Sequence, residues 1–150
     1  SEEKGEAAQS ADLDCLIDIS VNAHIPESYV ESLTLRLDVY RRIADIRNKE
    51  DSLDVKDELK DRFGEIPESV LGLIDIALIR NCANAMGIYE IRQTDTNVLL
   101  FVKEIKSPKI IELLSRLNGR AMLSAGSKPY ITIRCGGGSS LDMLKKVFKI

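Results

Sequence analysis

The spacing of hydrophobic positions changes near residue 88 and predicts a different architecture on each side of it. Before this point apolar side chains recur every three or four residues, as they do on amphipathic helices. After it they alternate with polar residues in short runs bounded by turn residues, as in hairpin strands. The pattern predicts an α+β fold: an N-terminal short strand and a three-helix region, followed by a mostly antiparallel sheet built from two ββα units.

The first residues of the chain show neither the helical nor the alternating spacing of apolar side chains. Residues 1–13 are mostly polar, so they are expected to form a flexible linker, such as one leading out of a larger protein, ahead of a domain at 14–150. In the stretch that follows, Cys15, Ile17 and Ile19 occupy alternate positions. This alternation predicts a short, half-buried strand.

The helical part is expected at about residues 26–87. Ser28 and Glu31 have the spacing of a capping box, which predicts that Ser28 caps the first helix. The side chains expected to form its buried stripe are Leu33, Leu37, Tyr40, Ile43 and Ala44. The arginines expected outside or beside this stripe are Arg36, Arg41, Arg42 and Arg47.

The second and third helices are bounded by turn-forming residues. Asp51 is predicted to cap the second helix, and Gly64 to end it in a left-handed conformation. Pro67 suits the first turn of the third helix, which is predicted to run to about Met86 and to end at Gly87. The core-facing residues predicted for the second helix are Val55, Leu59 and Phe63.

The hairpin and helix part is expected at about residues 88–150. Its first hairpin pairs "YEIRQT" with "VLLFVK", and its second pairs "RAMLSAG" with "YITIRC". A helix is predicted after each hairpin. Ser107 and Pro108 begin the first of these helices, and Ser139 or Ser140 caps the second.

Composition and charge narrow the function classes. The net charge is −3 and the pI is about 5.3, with acidic and basic residues interspersed, so the basic footprint of an autonomous DNA-binding protein is missing. No apolar run approaches the ~20 residues that span a bilayer. We therefore expect a soluble, cytoplasmic protein without direct contact with nucleic acid or membrane. The cysteines, Cys15, Cys82 and Cys135, are far apart and odd in number, which indicates reduced thiols and neither a disulfide framework nor a zinc site.

One run of residues has the outline of a phosphate-binding loop. "RCGGGSSLDML" combines a predicted strand, three glycines and a helix start, but it lacks the lysine of a P-loop and the spacing of a dinucleotide fingerprint. Cys135 has no neighbouring base in the sequence, and His24 has no visible catalytic or metal-binding partner. The alternatives are a flexible connection to the last helix and a small-molecule or phosphate-binding domain centred on the loop at Gly136–Gly138. No cofactor or metal is expected.

A second candidate lies in "DELKDRFG". Glu58 and Arg62 are four positions apart on the predicted helix and Asp61 is three from Glu58, so all three project from one face. Leu59 and Phe63 on the neighbouring face attach the helix to the core. An exposed ion pair of this kind contributes only ~0.3–0.5 kcal/mol to stability. The cluster is either an ordinary solvated helix end or a surface for a partner.

The same stretch carries a family resemblance. "YRRIA" at Tyr40–Ala44, "DELKDRFG" at Asp57–Gly64, the helix start "IPESV" and "GI" at Gly87 and Ile88 are similar to the C-terminal domain of bacterial transcription-repair coupling factors. These proteins are DNA translocases that remove stalled RNA polymerase and recruit nucleotide excision repair. The resemblance is strong from about Ile17 to Ile88 and weaker beyond.

The resemblance implies a regulatory domain that is not itself an enzyme, although the full-length family members are ATP-dependent translocases. In that family the domain is described as an autoinhibitory clamp, which packs against the N-terminal module of the same polypeptide and covers its surface for the damage-recognition ATPase UvrA. By motif, the clamp contacts correspond to Glu58, Asp61 and Arg62. UvrA and RNA polymerase are then indirect partners, reached through the full-length protein. An RNA-polymerase-binding accessory domain is a further interpretation, which the acidic charge balance does not specifically support.

Overall fold

The computed structural model describes residues 14–136 and 138–150, so the predicted linker at 1–13 and Gly137 lie outside the described residues. Five strands form one sheet in the order β1-β2-β3-β5-β4. They are β1 (Leu16–Asp18), β2 (Ile88–Gln93), β3 (Asn97–Val102), β4 (Ala121–Ser124) and β5 (Tyr130–Arg134). The helices of the described residues are α1 (Leu33–Ala44), α2 (Lys49–Phe63), α3 (Glu68–Ala85), α4 (Pro108–Leu117) and α5 (Ser140–Val147). The predicted α+β class and the two ββα units are confirmed.

The chain divides into two compact units. Among the described residues, the sheet unit comprises 14–20 and 80–149, and the helical unit comprises 21–79 and 150. The boundary between them falls within α3. None of the helices in the described residues is both long and apolar enough to cross a membrane.

In the helical unit, α1 begins later than the capping box predicted. Ser28 is not its N-cap, because residues 27–29 form a separate turn. The N-cap is Ser32, whose Oγ accepts a hydrogen bond from the Leu35 amide at 3.2 Å. The backbone between the turn and the helix is held by Arg36, whose Nη1 donates to the carbonyls of Val30 and Glu31. These two carbonyls bond to a side chain, so the helix begins only after them.

The buried face of α1 also differs from the predicted stripe. Ile43 is buried as predicted, but Leu33 and Leu37 are 62% and 48% exposed. The face that packs into the core instead contains Val39, at 2% exposure, and the partly buried Leu35. Leu35, Val39 and Ile43 are spaced four residues apart, which is as regular on a helix as the predicted set. Tertiary packing, and not periodicity, selects between the two stripes.

The residue that caps the start of α2 also differs from the predicted one. Asp51 is not its N-cap: Asn48 is, and its Oδ1 accepts from the Asp51 amide at 2.8 Å. The Asp51 carboxylate, inside the first turn, accepts from the Arg47 amide at 3.0 Å, so two amide donors at the start of the helix are satisfied by side chains. The predicted end is confirmed at Gly64, which has φ = 92°.

The remaining predicted helix boundaries are confirmed within about a residue. Pro67 stands directly before α3 and its carbonyl accepts from the Val70 and Leu71 amides, while Gly87 follows the helix with φ = 77°. Together with α1 and α2, the first part of α3 forms the core of the helical unit. The buried members of this core are Ile25, Val30, Val39, Ile43, Ile46, Val55, Leu59, Val70, Ile74, Ala77 and Leu78.

The sheet unit is mostly antiparallel. Only β1 runs parallel to its neighbour β2 among the described strands, whereas the pairs β2–β3, β3–β5 and β4–β5 are antiparallel. Along β3 and β5 every second residue is buried, which is the alternation of strands with one face in a core. The predicted cap of α5 is Ser139, whose side chain accepts from the Asp142 amide at 3.2 Å.

Candidate interaction site

Glu58 on α2 lies between two arginines from different helices. Arg62, one turn further along α2, donates from Nη1 to Glu58 Oε2 at 3.1 Å. Arg42 on α1 donates from Nε to Glu58 Oε1 at 3.1 Å and also donates to that oxygen from Nη2. The three side chains, which we call the ionic cluster, therefore join α1 to α2 at the surface of the helical unit.

The structure brings together two of the three residues that the sequence singled out. Glu58 and Arg62 pair as their spacing predicts. Asp61 is exposed and makes no hydrogen bond or ion pair with any residue between 14 and 136 or between 138 and 150. Arg42 is the member that sequence reasoning did not select, although it was expected beside the buried stripe of α1. Its contact spans 16 positions in the sequence, so no helical spacing could reveal it.

The end of α2 that carries Asp61 and Arg62 is held firmly. The Tyr29 hydroxyl donates to the Gly64 carbonyl at 2.9 Å, just beyond the helix. The Tyr29 ring also packs against Phe63, with ring centroids 5.7 Å apart. The Arg62 guanidinium lies over the Phe63 ring, 4.9 Å from its centroid, in a cation–π arrangement. Phe63 thus connects the ionic cluster to the core.

The electrostatics of the ionic cluster keep Glu58 charged. The hydrogen bonds from Arg42 are the largest influence on the pKa of Glu58 and hold it below its ordinary value, with a further contribution from Arg62 and partial opposition from burial. Side-chain exposure is 52% for Arg42, 33% for Glu58 and 42% for Arg62. The cluster is thus formed within the chain yet remains reachable from solvent.

The ionic cluster has unused hydrogen-bonding capacity. Arg42 Nη1, and Arg62 Nε and Nη2, donate to no acceptor in the described part of the chain. A guanidinium has five N–H donors in a fixed planar fork, which matches a carboxylate geometrically. A partner surface carrying carboxylates could therefore bind both arginines, while a basic partner side chain could pair with the free carboxylate of Asp61.

The described residues on either side of Gly137 do not favour a phosphate cradle at the glycine run. Ser139 already caps α5, and the first turn of that helix carries the carboxylate of Asp142, which disfavours an anion there. Gly136 has φ = 68°, as expected for a turn between a strand and a helix. Burial raises the pKa of the Cys135 thiol, which opposes its use as a nucleophile. Among residues 14–136 and 138–150, no three His, Cys, Asp or Glu side chains are grouped so that they could hold a metal ion.

Comparisons with known proteins identify the family to which the chain is similar. A family model described as the TRCF domain matches residues 19–113. The transcription-repair-coupling factor of Bacillus subtilis (strain 168) is 29% identical over 152 residues, covering 97% of this chain and 13% of that protein. The protein of the same name from Mycobacterium tuberculosis (strain CDC 1551 / Oshkosh) is 38% identical over 78 residues, covering 52% of this chain and 6% of that protein. The chain thus spans about an eighth or less of the length of these relatives.

A solved structure shares the fold. It is described as the crystal structure of the C-terminal domain of transcription-repair coupling factor, and it superposes with a TM-score of 0.78 over 90% of this chain and 88% of that chain. The two sequences are 17% identical over the match, so the likeness concerns the fold.

Proposed function

Because the chain belongs to the family of TRCF domains found in transcription-repair coupling factors, we propose that it is a non-catalytic regulatory domain that docks on another module of its full-length protein. The docking site is the ionic cluster together with Asp61. The module it covers is the N-terminal one, and docking masks the surface of that module which binds UvrA. RNA polymerase is reached only through the rest of the full-length protein.

One observation carries this proposal: the ionic cluster is ordered by the chain's own contacts and is still incompletely used. Glu58 is held by two arginines, yet both guanidiniums keep free donors and Asp61 has no partner in the described residues. A surface whose side chains are already positioned loses less conformational entropy when it binds. Charge-assisted pairs across such a surface give specificity and can be broken again, as a releasable clamp requires.

The strength of the clamp follows from its being intramolecular. A docking site on the same polypeptide has an effective concentration that reaches the millimolar range for short flexible linkers. Contacts that bind weakly between separate molecules are then sufficient to keep the closed form populated. Release needs only a ligand that prefers the open form, and UvrA has that property if its binding surface is masked in the closed form.

The test uses the full-length protein with Glu58, Asp61 and Arg62 replaced together by alanine. Truncating one side of charges paired across an interface costs about 2–5 kcal/mol, so we expect the triple variant to shift towards the open form and to bind UvrA more tightly. Calorimetric titration with UvrA measures the affinity, and a thermal melt of the 150-residue chain checks the fold.

A charge-matched control distinguishes docking from a general effect of charge. Glu104, Lys106 and Glu112 are exposed residues of the sheet unit, again two acids and one base, and their triple alanine variant should bind UvrA as the wild type does. If the site variant keeps its fold and its affinity for UvrA is unchanged, the ionic cluster is not the clamp. Equal increases in both variants would also reject it.

A further inference from the structure

Strand β4 forms an edge of the sheet with apolar side chains exposed on both faces. It pairs with β5 on one side, and no other strand of the described chain borders it. Met122 is 71% exposed and Leu123, on the opposite face of the strand, is 41% exposed. The strand contains no charged residue and no proline, which are the usual devices that keep an edge from pairing with another chain. Its outward backbone N–H and C=O groups are therefore available to a further strand.

Two arginines adjoin this edge of the sheet. Ala121 is paired with Ile133, so continuing the register by one residue places Arg120 opposite Arg134. Like charges directly opposite each other destabilise a sheet. Both arginines line a cavity of about 490 Å³, which is also lined by Met122 and whose described wall residues include no carboxylate. Neither arginine forms an ion pair with any residue that the structure describes.

The opposite side of the edge has the same charge. A second cavity, of about 160 Å³, is lined by Arg120 and Lys146 together with the apolar Ile133 and Met143, and no carboxylate of the described chain lines it. Arg120 thus lines a cavity on each side of the edge. The chain as a whole has a net charge of −3, so the basic side chains at this edge make it locally positive within an acidic protein. This local charge makes the edge electrostatically complementary to an acidic ligand.

The charges also argue against pairing between two copies of the chain. A second β4 laid antiparallel to the first, centred on Met122 and Leu123, would place each Arg120 against residues 125–128 of the other copy, which contain Lys128 and no carboxylate. Among the described residues that line the two cavities there is likewise no carboxylate that could attract the arginine of a second copy. The complementary occupant is a strand that supplies negative charge.

We propose that β4 is a docking edge for an extended acidic segment of another protein, which adds a strand to the sheet. The alternation of side chains defines the segment. On the face of Arg120 and Met122, it would place an acidic residue beside Arg120 and, two positions away, an apolar residue beside Met122. The carboxylate would lie beside Arg120, on the side of β4 away from Arg134, and its charge would offset part of the repulsion between the two arginines. This inference concerns the sheet unit and is independent of the proposed function of the ionic cluster.

The test selects binders to the 150-residue chain from a displayed library of random ten-residue peptides. We expect the enriched peptides to carry Asp or Glu two positions from an apolar residue. Affinities of synthetic versions, measured by fluorescence anisotropy, should fall at least tenfold with Arg120→Glu or Met122→Lys. The control variant Arg41→Glu makes the same charge change on an exposed side chain of the helical unit and should leave binding unchanged. Circular dichroism of each variant confirms that the fold is retained.

The possible results of these experiments distinguish a docking edge from its alternatives. Loss of binding in the β4 variants alone supports the docking edge, and amide exchange that slows in β4 when the peptide binds supports the added strand. The inference is overturned if selection enriches no acidic peptide, or if Arg120→Glu and Met122→Lys bind as the wild type does. It is also overturned if analytical ultracentrifugation shows a dimer that Met122→Lys dissociates, because the edge would then belong to a second copy.

Discussion

The coupling between Arg42 and Glu58 can be measured apart from any docking, in the 150-residue chain. The perturbation is a double-mutant cycle with Arg42→Ala, Glu58→Ala and the variant carrying both. Arg42 donates two hydrogen bonds to one carboxylate oxygen, but the side chains are 52% and 33% exposed. Exposed pairs couple by about 0.2–1 kcal/mol. The paired donors favour the upper end of that range, so we expect about 1 kcal/mol at pH 7.

The pH dependence of this coupling follows from the lowered pKa of Glu58. A carboxylate with a lower pKa in the folded state contributes its stability fully above its ordinary value, which is 4.5 here. That stability is lost as the pH falls through the lower, folded-state pKa. The coupling should therefore be constant from pH 7 to about pH 5 and decline below the ordinary value.

Urea unfolding of the four proteins provides the measurement, with stabilities compared at a common m value. The control is the exposed pair Asp38 and Arg41, both on α1, for which a coupling of about 0.3 kcal/mol is expected. A coupling between Arg42 and Glu58 no larger than that of the control would refute the bridge between α1 and α2. So would a coupling that persists unchanged after Glu58 is protonated, because its origin would then not be ionic.

Two further predictions concern packing in the helical unit. Ile43→Ala should destabilise the chain by about 2–5 kcal/mol because it leaves a cavity at a buried site. Leu37→Ala, on the exposed face of α1, should change stability by no more than about 0.5 kcal/mol. Equal losses of stability in urea melts of the two variants would mean that the buried face of α1 is assigned incorrectly. Phe63→Ala should cost about 3 kcal/mol, since it removes the ring packed against Tyr29 and beneath Arg62; a thermal midpoint matching the wild type would contradict its role as an anchor.

The sequence by itself determined the elements that depend on local chemistry. Gly64 and Gly87 end helices because they adopt positive φ, and Pro67 precedes α3 because its ring suits a helix start. The two hairpins followed from alternation and turn residues, and the ββα repeats with them. These signals act within a few residues, so no knowledge of the rest of the chain was needed.

Local signals failed where the chain offered two choices and other contacts decided between them. Ser28 and Ser32 both suit an N-cap, and the hydrogen bonds of Arg36 to the preceding backbone decide in favour of Ser32. Likewise α1 has two apolar stripes, and only contact with the other helices determines that Val39 is buried and Leu37 exposed. Burial depends on how the helices assemble into a core, so periodicity alone cannot tell which of the two stripes is buried.

Tertiary structure alone decided the composition of the charged sites. The spacing of Glu58 and Arg62 was visible on one helix, but Arg42 approaches from another helix and completes the ionic cluster. Arg120 and Arg134 meet only because β4 pairs with β5 in one register. Helix and strand periods relate residues within an element, whereas the relation between elements depends on how their buried faces pack and how their strands align.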